Sequence, residues 1–347
     1  MPTFSASNLV KAQTKVISRF SQNEQRQRSN PALTMALRNS NILTPGSAQD
    51  LRKREDRPVE FYIMKRNKRA AGNARTHNHT GNRGDSVAIG VTWQTYSDTH
   101  SISLKQMDNN IFSFEEALAQ GFYDCIANIK RDIETDNIDF LTAQRTQINN
   151  ATAGGTFNAV DHVWEVAQQD QRQFFQIGKS VMGENDYKGM YDVIVSPRMA
   201  IDAGWYLHQG TGNDNNTAFQ FTDLNIAPSA DLSDPDYLGG ISLWMPAGGF
   251  AVLPWIPKQN RSGHGDYNTV LGGYGTISDG DISQQGADPS ILTYAVHGYT
   301  ERADTSASNG NSQDDLMQFE VSVDIARVLS PLSTANESVV YEMAQLV

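Results

Sequence analysis

The sequence predicts an α+β fold on three patterns. Apolar residues recur at spacings of three and four from Leu118 to Leu141, the mark of a long amphipathic helix. Met317, Phe319, Val321, Val323 and Ile325 alternate without a miss, which reads as a strand with one buried face. A run of Val59, Phe61, Tyr62, Ile63 and Met64 and a run of Val87, Ile89, Val91 and Trp93 flank a polar, glycine-bearing stretch and read as a hairpin. With 347 residues, 39% of them hydrophobic, the chain can bury a substantial core.

Charge divides the chain. Residues 1–85 hold 16 Lys and Arg against 6 Asp and Glu, and the remaining 262 hold 12 against 33. A segment of net charge +10 thus leads into a body of −21, within a total of −11. Non-specific nucleic-acid binding asks for a basic body, and this one repels phosphate. Residues 1–57 are rich in Gln, Asn, Ser and Arg and too polar to form a core alone, so in isolation they are expected to be disordered and to take their order from a neighbouring copy.

From Pro58 onward the elements follow in order. The hairpin carries Lys65, Arg66, Lys68, Arg69, Arg75 and Arg83 around Gly72, Gly81 and Gly84. Limbs of about 10 to 14 residues at about 3.3 Å each reach roughly 35 to 45 Å. A two-stranded hairpin is marginal alone, so it is expected to lie on a partner. Ser113 and Glu116 make a Ser-x-x-Glu capping box that opens the long helix, expected to run to about Thr146. Asp132, Glu134, Asp136 and Asp139 crowd the C-terminal half of that helix, where the macrodipole disfavours acids and calls for basic groups from elsewhere.

Val160, Val163, Trp164, Ala167, Phe174, Phe175 and Ile177 read as a second helix stopped by Gly183. Val193, Ile194 and Val195 form a buried strand, and Ser196 and Pro197 supply the N-cap and first-turn proline of a short helix from Met199 to His208. Strands are expected at Ile241 to Met245, Phe250 to Ile256 and Ile291 to Tyr299, with a polar connection from Thr300 to Asp315. Val339, Val340, Met343 and Leu346 stand at helical spacing in the last twelve residues.

Catalytic, cofactor and metal signatures are missing at the level of motif. Gly178, Lys179 and Ser180 imitate the end of a phosphate-binding loop, but position 173, where its first glycine belongs, is Gln. Gly272, Gly273 and Gly275 lack the third glycine, since position 278 is Ser. His77 and His79 are two ligands without a third, and Asp279, Asp281 and Asp288 match no calcium-loop spacing. Cys125, the only cysteine, sits on the apolar stripe of the long helix, which excludes an intrachain disulfide and reads as packing. No segment approaches the roughly 18 apolar residues of a membrane span. The reading is of a non-enzyme without cofactor or metal. Its candidate residues are the basic ones, Arg52, Lys53, Arg54 and Arg57 together with the six hairpin positions, as intersubunit contacts.

The order of elements, with the passage from Trp93 through Ser101, Ile102, Ser103, Leu104 and Gln106 into the Ser113 helix, resembles the major capsid protein of tailed double-stranded DNA bacteriophages, the fold first described for phage HK97. The resemblance implies an N-terminal arm at 1–50, an extended hairpin loop at 51–92, a peripheral domain at 93–187 and 306–347 with its spine helix at 113–146, and an axial domain at 188–305. It implies self-assembly as pentamers and hexamers into an icosahedral shell around double-stranded DNA held without sequence readout, with scaffolding, portal and decoration proteins as further partners and no membrane. Localisation would be the virion capsid, assembled in the host bacterial cytoplasm. The alternatives are an encapsulin-like compartment shell and, behind it, a soluble α/β enzyme with a regulatory arm. Relatives that begin with a cleaved scaffolding segment have some hundred more residues ahead of the hairpin, so a separate scaffolding protein, or none, is expected.

Overall fold

A computed structural model describes residues 6–21, 30–43, 59–64, 86–103, 114–145, 155–185, 187–209, 223–256, 274–280, 290–304, 313–330 and 339–347. The fold is α+β, in two compact units. One contains residues 1–30, 93–133 and 253–326, the other 31–92, 134–252 and 327–347.

In the first unit the alternating run lies in β12 (Gln313–Leu329), which pairs antiparallel with β3 (Trp93–Ser103) on one side and β11 (Thr293–Asp304) on the other, and β11 pairs with β10 (Tyr274–Ser278). Its apolar residues, from Met317 to Ile325, are all buried. They receive α3 (Phe114–Ala143), whose stripe of Leu118, Phe122, Ile126, Ile129 and Ile133 is likewise buried and whose Phe122 meets Phe319 edge to face at 5.4 Å. Each such side chain contributes roughly 1.5 to 3 kcal/mol by leaving water. The helix ends three residues before its expected limit, and Ser113 lies outside the described residues. Within the connection expected at 300–315, residues 300–304 and 313–315 are instead strand, with Asp304 opposite Gln313.

The first unit also holds α1 (Ala6–Ser21), which places Ala12, Val16 and Phe20 on one buried stripe. The leading segment was expected to take its order from a neighbouring copy; instead later elements of the same chain cover the narrow apolar stripe of α1: the Phe20 ring lies 4.8 Å from that of Tyr123, and α1 contacts β10.

The second unit is a three-layer sandwich around a mixed six-stranded sheet. The strands are β4 (Thr156–Asn158), β5 (Val163–Val166), β6 (Tyr191–Val195), β7 (Leu224–Pro228), β8 (Ile241–Pro246) and β13 (Tyr341–Gln345), in the order β4-β5-β13-β8-β6-β7. Strands β5, β13, β6 and β7 point one way, and β4 and β8 the other. One face presents Trp164, Val166, Tyr191, Val193, Trp244 and Met343 to α4 (Phe174–Glu184) and α5 (Pro197–Gln209). On the other face α2 (Pro31–Leu43) joins Asn39 to Asp192 at 2.8 Å. Gly178 lies where α4 presses on the sheet, since a Cβ there would overlap the Trp244 indole. That accounts for the glycine of the loop-like Gly178-Lys179-Ser180 without any phosphate.

Two helical expectations are overturned here. The segment from Val160 to Ala167 is β5 and its turn, with Val160 exposed and the helix confined to Phe174–Glu184, one residue past Gly183. The final segment is β13, whose two edges pair with β5 and β8 and whose residues are all buried. A short run that is apolar on both sides carries no period that distinguishes strand from helix. The N-cap at Ser196 stands as expected: its hydroxyl accepts from Met199 N at 3.4 Å, and also from Ile241 N at 3.1 Å.

Candidate functional site

All ten basic candidates, Arg52, Lys53, Arg54, Arg57, Lys65, Arg66, Lys68, Arg69, Arg75 and Arg83, lie outside the described residues, as do His77 and His79. What the structure describes is the ribbon they flank. Strands β1 (Val59–Met64) and β2 (Ser86–Val91) pair antiparallel in a two-stranded sheet of their own. The register sets Val59 opposite Val91, Phe61 opposite Ile89 and Ile63 opposite Val87. With a period of two, those six positions share one face of the ribbon, and the other face takes Glu60, Tyr62, Met64, Gly90, Ala88 and Ser86.

Elsewhere several buried carboxylates have partners that explain them structurally. Glu134 accepts from Ala32 N at 3.1 Å, Leu33 N at 2.8 Å and Ser229 Oγ at 2.9 Å, so its carboxylate seats on the first turn of α2. Burial raises its pKa and those three donors oppose the rise. The relief expected for the acidic half of α3 therefore comes at Glu134 from a helix N-terminus, and at Asp136 from Arg327 at 3.6 Å. The readable signal was Pro31 in the first helical position. Asp192 accepts from Asn39, Asn225 at 3.0 Å and Gly248 N at 3.4 Å, and buried Glu342 pairs with Arg145.

Lys130 pairs with Asp279 and lies 5.1 Å from the Phe20 ring centroid, and burial raises Asp279 against the pull of Lys130. Cys125 is buried and its thiol is pushed up to about 12, first by burial and then by the neighbouring Asp98, so at neutral pH it holds its proton and is no nucleophile. His100 is held below its ordinary value by burial, against the charges of Asp124 and Asp98. Tyr237 rises to about 12 through burial and its hydrogen bond to Glu165. Among the described residues no three His, Cys, Asp or Glu gather as a metal site, and no helix is long and apolar enough to cross a membrane.

No protein-family model and no curated protein matches the sequence. The structure is similar to a chain from Mycobacterium phage Che8, with a TM-score of 0.47 and 10% identity over 88% of this chain and 90% of that one. It is also similar to a chain in the capsid structure of the cyanophage P-SCSP1u, at 0.42 and 10% over 84% of each. A third likeness is to the capsid of a native GTA particle, at 0.40 and 11% over 88% and 92%.

Proposed function

We propose that this chain is a shell-forming structural protein, the major capsid protein of a tailed double-stranded DNA phage, assembling as pentamers and hexamers into an icosahedral shell. The observation that carries the reading is the β1–β2 ribbon, a lone two-stranded sheet with six apolar positions on one face and ten basic residues in the adjoining 51–58 and 65–85. Such a ribbon is marginal in water by itself. A second copy of the chain offers both things it needs, apolar cover and a body of net charge −21. Burying the apolar face at about 25 cal/mol per Å² offsets the entropy of ordering the ribbon, and closed symmetry repeats that gain at every contact.

In this reading residues 1–50 are the arm and 51–92 the extended loop, while the boundaries expected for the peripheral and axial domains give way to the two compact units, since each sheet crosses them. Because α1 and α2 cover their own apolar stripes within the chain, gripping a neighbour falls to the basic loop and its ribbon more than to the arm helices. The basic residues steer and register the contact, and the apolar face supplies most of the affinity. The shell encloses DNA without reading its sequence, and an encapsulin-like compartment would share the subunit but not the contents.

Negative-stain electron microscopy with light scattering at low and high salt tests the reading on the purified protein, co-expressed with a scaffolding protein where one exists. Closed particles tens of nanometres across are expected. Reversing the charges of Lys65, Arg66, Lys68 and Arg69 is expected to leave the subunit folded and abolish closure. A subunit that stays monomeric under every one of these conditions overturns the proposal, and protein cargo in place of nucleic acid moves it to the compartment class.

A further inference from the structure

We propose that Lys130 and Asp279 of one chain join in an intrachain isopeptide bond, formed within the folded first unit with no separate enzyme. The proposal stands on the geometry of that unit and does not rest on the shell reading.

Three elements of the unit converge on the pair. Lys130 lies on α3, Asp279 directly follows β10, and α1 touches both sides: the Phe20 ring lies 5.1 Å from Lys130 Nζ, and Gln13 Nε2 donates to Ser278 Oγ at 3.5 Å. The two side chains keep only 15% and 3% of their exposure, so little water competes for either. The carboxyl is held by its far oxygen, since Leu292 N donates to Asp279 Oδ1 at 2.8 Å while Oδ2 is the atom that meets Nζ. Tyr294 stands opposite Ile277 in the β10–β11 register, which sets it on the same side of the sheet as Asp279, two residues on. It is fully buried, its hydroxyl has no hydrogen-bond partner among the described residues, and the Asp279 charge reaches it. A buried phenol with nothing to bind is costly as static structure, and near a carboxyl and an amine it can serve as a proton relay.

The bond forms by loss of water. Proton transfer from Nζ to Oδ2 gives a neutral amine and a carboxylic acid, which removes two charges from an apolar site, and burial already raises Asp279 in that direction. The Nζ lone pair then attacks Cγ, and the carbonyl electron pair moves onto Oδ1, where the Leu292 N–H stabilises the negative charge. A proton passes from the nitrogen to Oδ2, with Tyr294 as the relay, the Cγ–Oδ2 bond breaks and water leaves. The product is an amide between Nζ and Cγ, with no change of oxidation state. In bulk water the condensation of an ammonium with a carboxylate is uphill. Here the two groups are held in contact, which is equivalent to an effective concentration of about 10⁵ to 10⁸ M. The amide also ends the desolvation cost of a buried ion pair, and it staples α3 to the sheet that the helix covers.

The test is the mass of the purified full-length protein, unfolded in acid, followed by peptide mapping after trypsin. A chain lighter than its sequence by one water is expected, with a branched peptide in which Lys130 escapes cleavage and is joined to the peptide that holds Asp279. The full sequence mass, in protein shown by circular dichroism to be folded, overturns the proposal. So does a loss of water confined to a linear peptide, because Asp279 precedes Gly280 and an Asp-Gly succinimide has the same mass. Lys130→Arg keeps the charge and removes the nucleophile, and it is expected to show the full mass and a lower melting temperature. A Lys130→Arg protein that still loses one water at Asp279 overturns the assignment, and should that variant fail to fold, the wild-type branched peptide decides alone.

Discussion

The two helices of the polar leading segment are held in opposite ways. On α1, Lys11 meets Glu115 at 2.7 Å and Lys15 meets Glu116 at 4.0 Å, while Arg19 donates to Gln120, all at the surface. On α2 the polar contacts are buried: Glu134 takes two amides of the first turn, and Asn39 bridges Asp192 and the carbonyl of Phe250 at 3.2 Å. The more basic helix thus has ion pairs screened by water, and the more apolar one hydrogen bonds that no water replaces. Each surface pair contributes about 0 to 1 kcal/mol. Each buried partner, once removed, strands the others without solvent.

The largest effect expected follows from the buried carboxylate. Glu134→Ala leaves two α2 amides and the Ser229 hydroxyl without their acceptor and is expected to lose about 3 kcal/mol in denaturant unfolding. A loss under about 0.5 kcal/mol would show that water reaches the site. Its pH dependence sharpens the point. Burial raises Glu134 above its ordinary 4.5, with Asp231 adding a smaller push, so the folded chain binds the proton more tightly than the unfolded chain. The stability from this group is therefore greatest below about 4.5 and falls as pH rises through the folded value. Other raised carboxylates titrate nearby, so the readout is the difference between wild type and Glu134→Gln. The wild-type melting temperature should fall more steeply with pH than that of the variant, and parallel curves would contradict the assignment.

Asn39→Ala comes next, at about 1.5 kcal/mol, because Asp192 keeps Asn225 and Gly248 as donors when Asn39 is gone. Thermal unfolding of the variant checks it, and a neutral result would place the affinity of α2 in its apolar stripe alone. Smallest is the α1 ladder: Lys11→Glu with Lys15→Glu is expected to change global stability by less than about 1 kcal/mol. It should speed hydrogen exchange of α1 at low salt and lose that difference at high salt, while α2 does not respond to salt. Equal salt response in both helices would erase the contrast.

Legibility in the sequence followed the period of each element. The stripe of α3 and the alternation of β12 are long and each has a polar side, so their type and buried face were readable to within a few residues. The hairpin at β1 and β2 was readable as well, as the pairing of the 59–64 and 86–91 runs. The tail was not. Val340, Met343 and Leu346 imitate a helical spacing, and only the insertion of Tyr341–Gln345 between β5 and β8 makes that stretch a strand. The role of Glu134 was half-legible: an acid out of place on α3 announced that a positive partner was needed, but nothing local joins it to the helix that starts at Pro31, in a stretch read as too polar to order itself.

By itself, then, the sequence determined the periods, the cap at Ser196 and the charge division, because each follows from the residues themselves. Tertiary structure decided which short apolar runs became central strands and which acid was buried on a helix terminus. Those outcomes depend on groups a hundred or more residues apart, whose desolvation is settled only when the chain closes on itself.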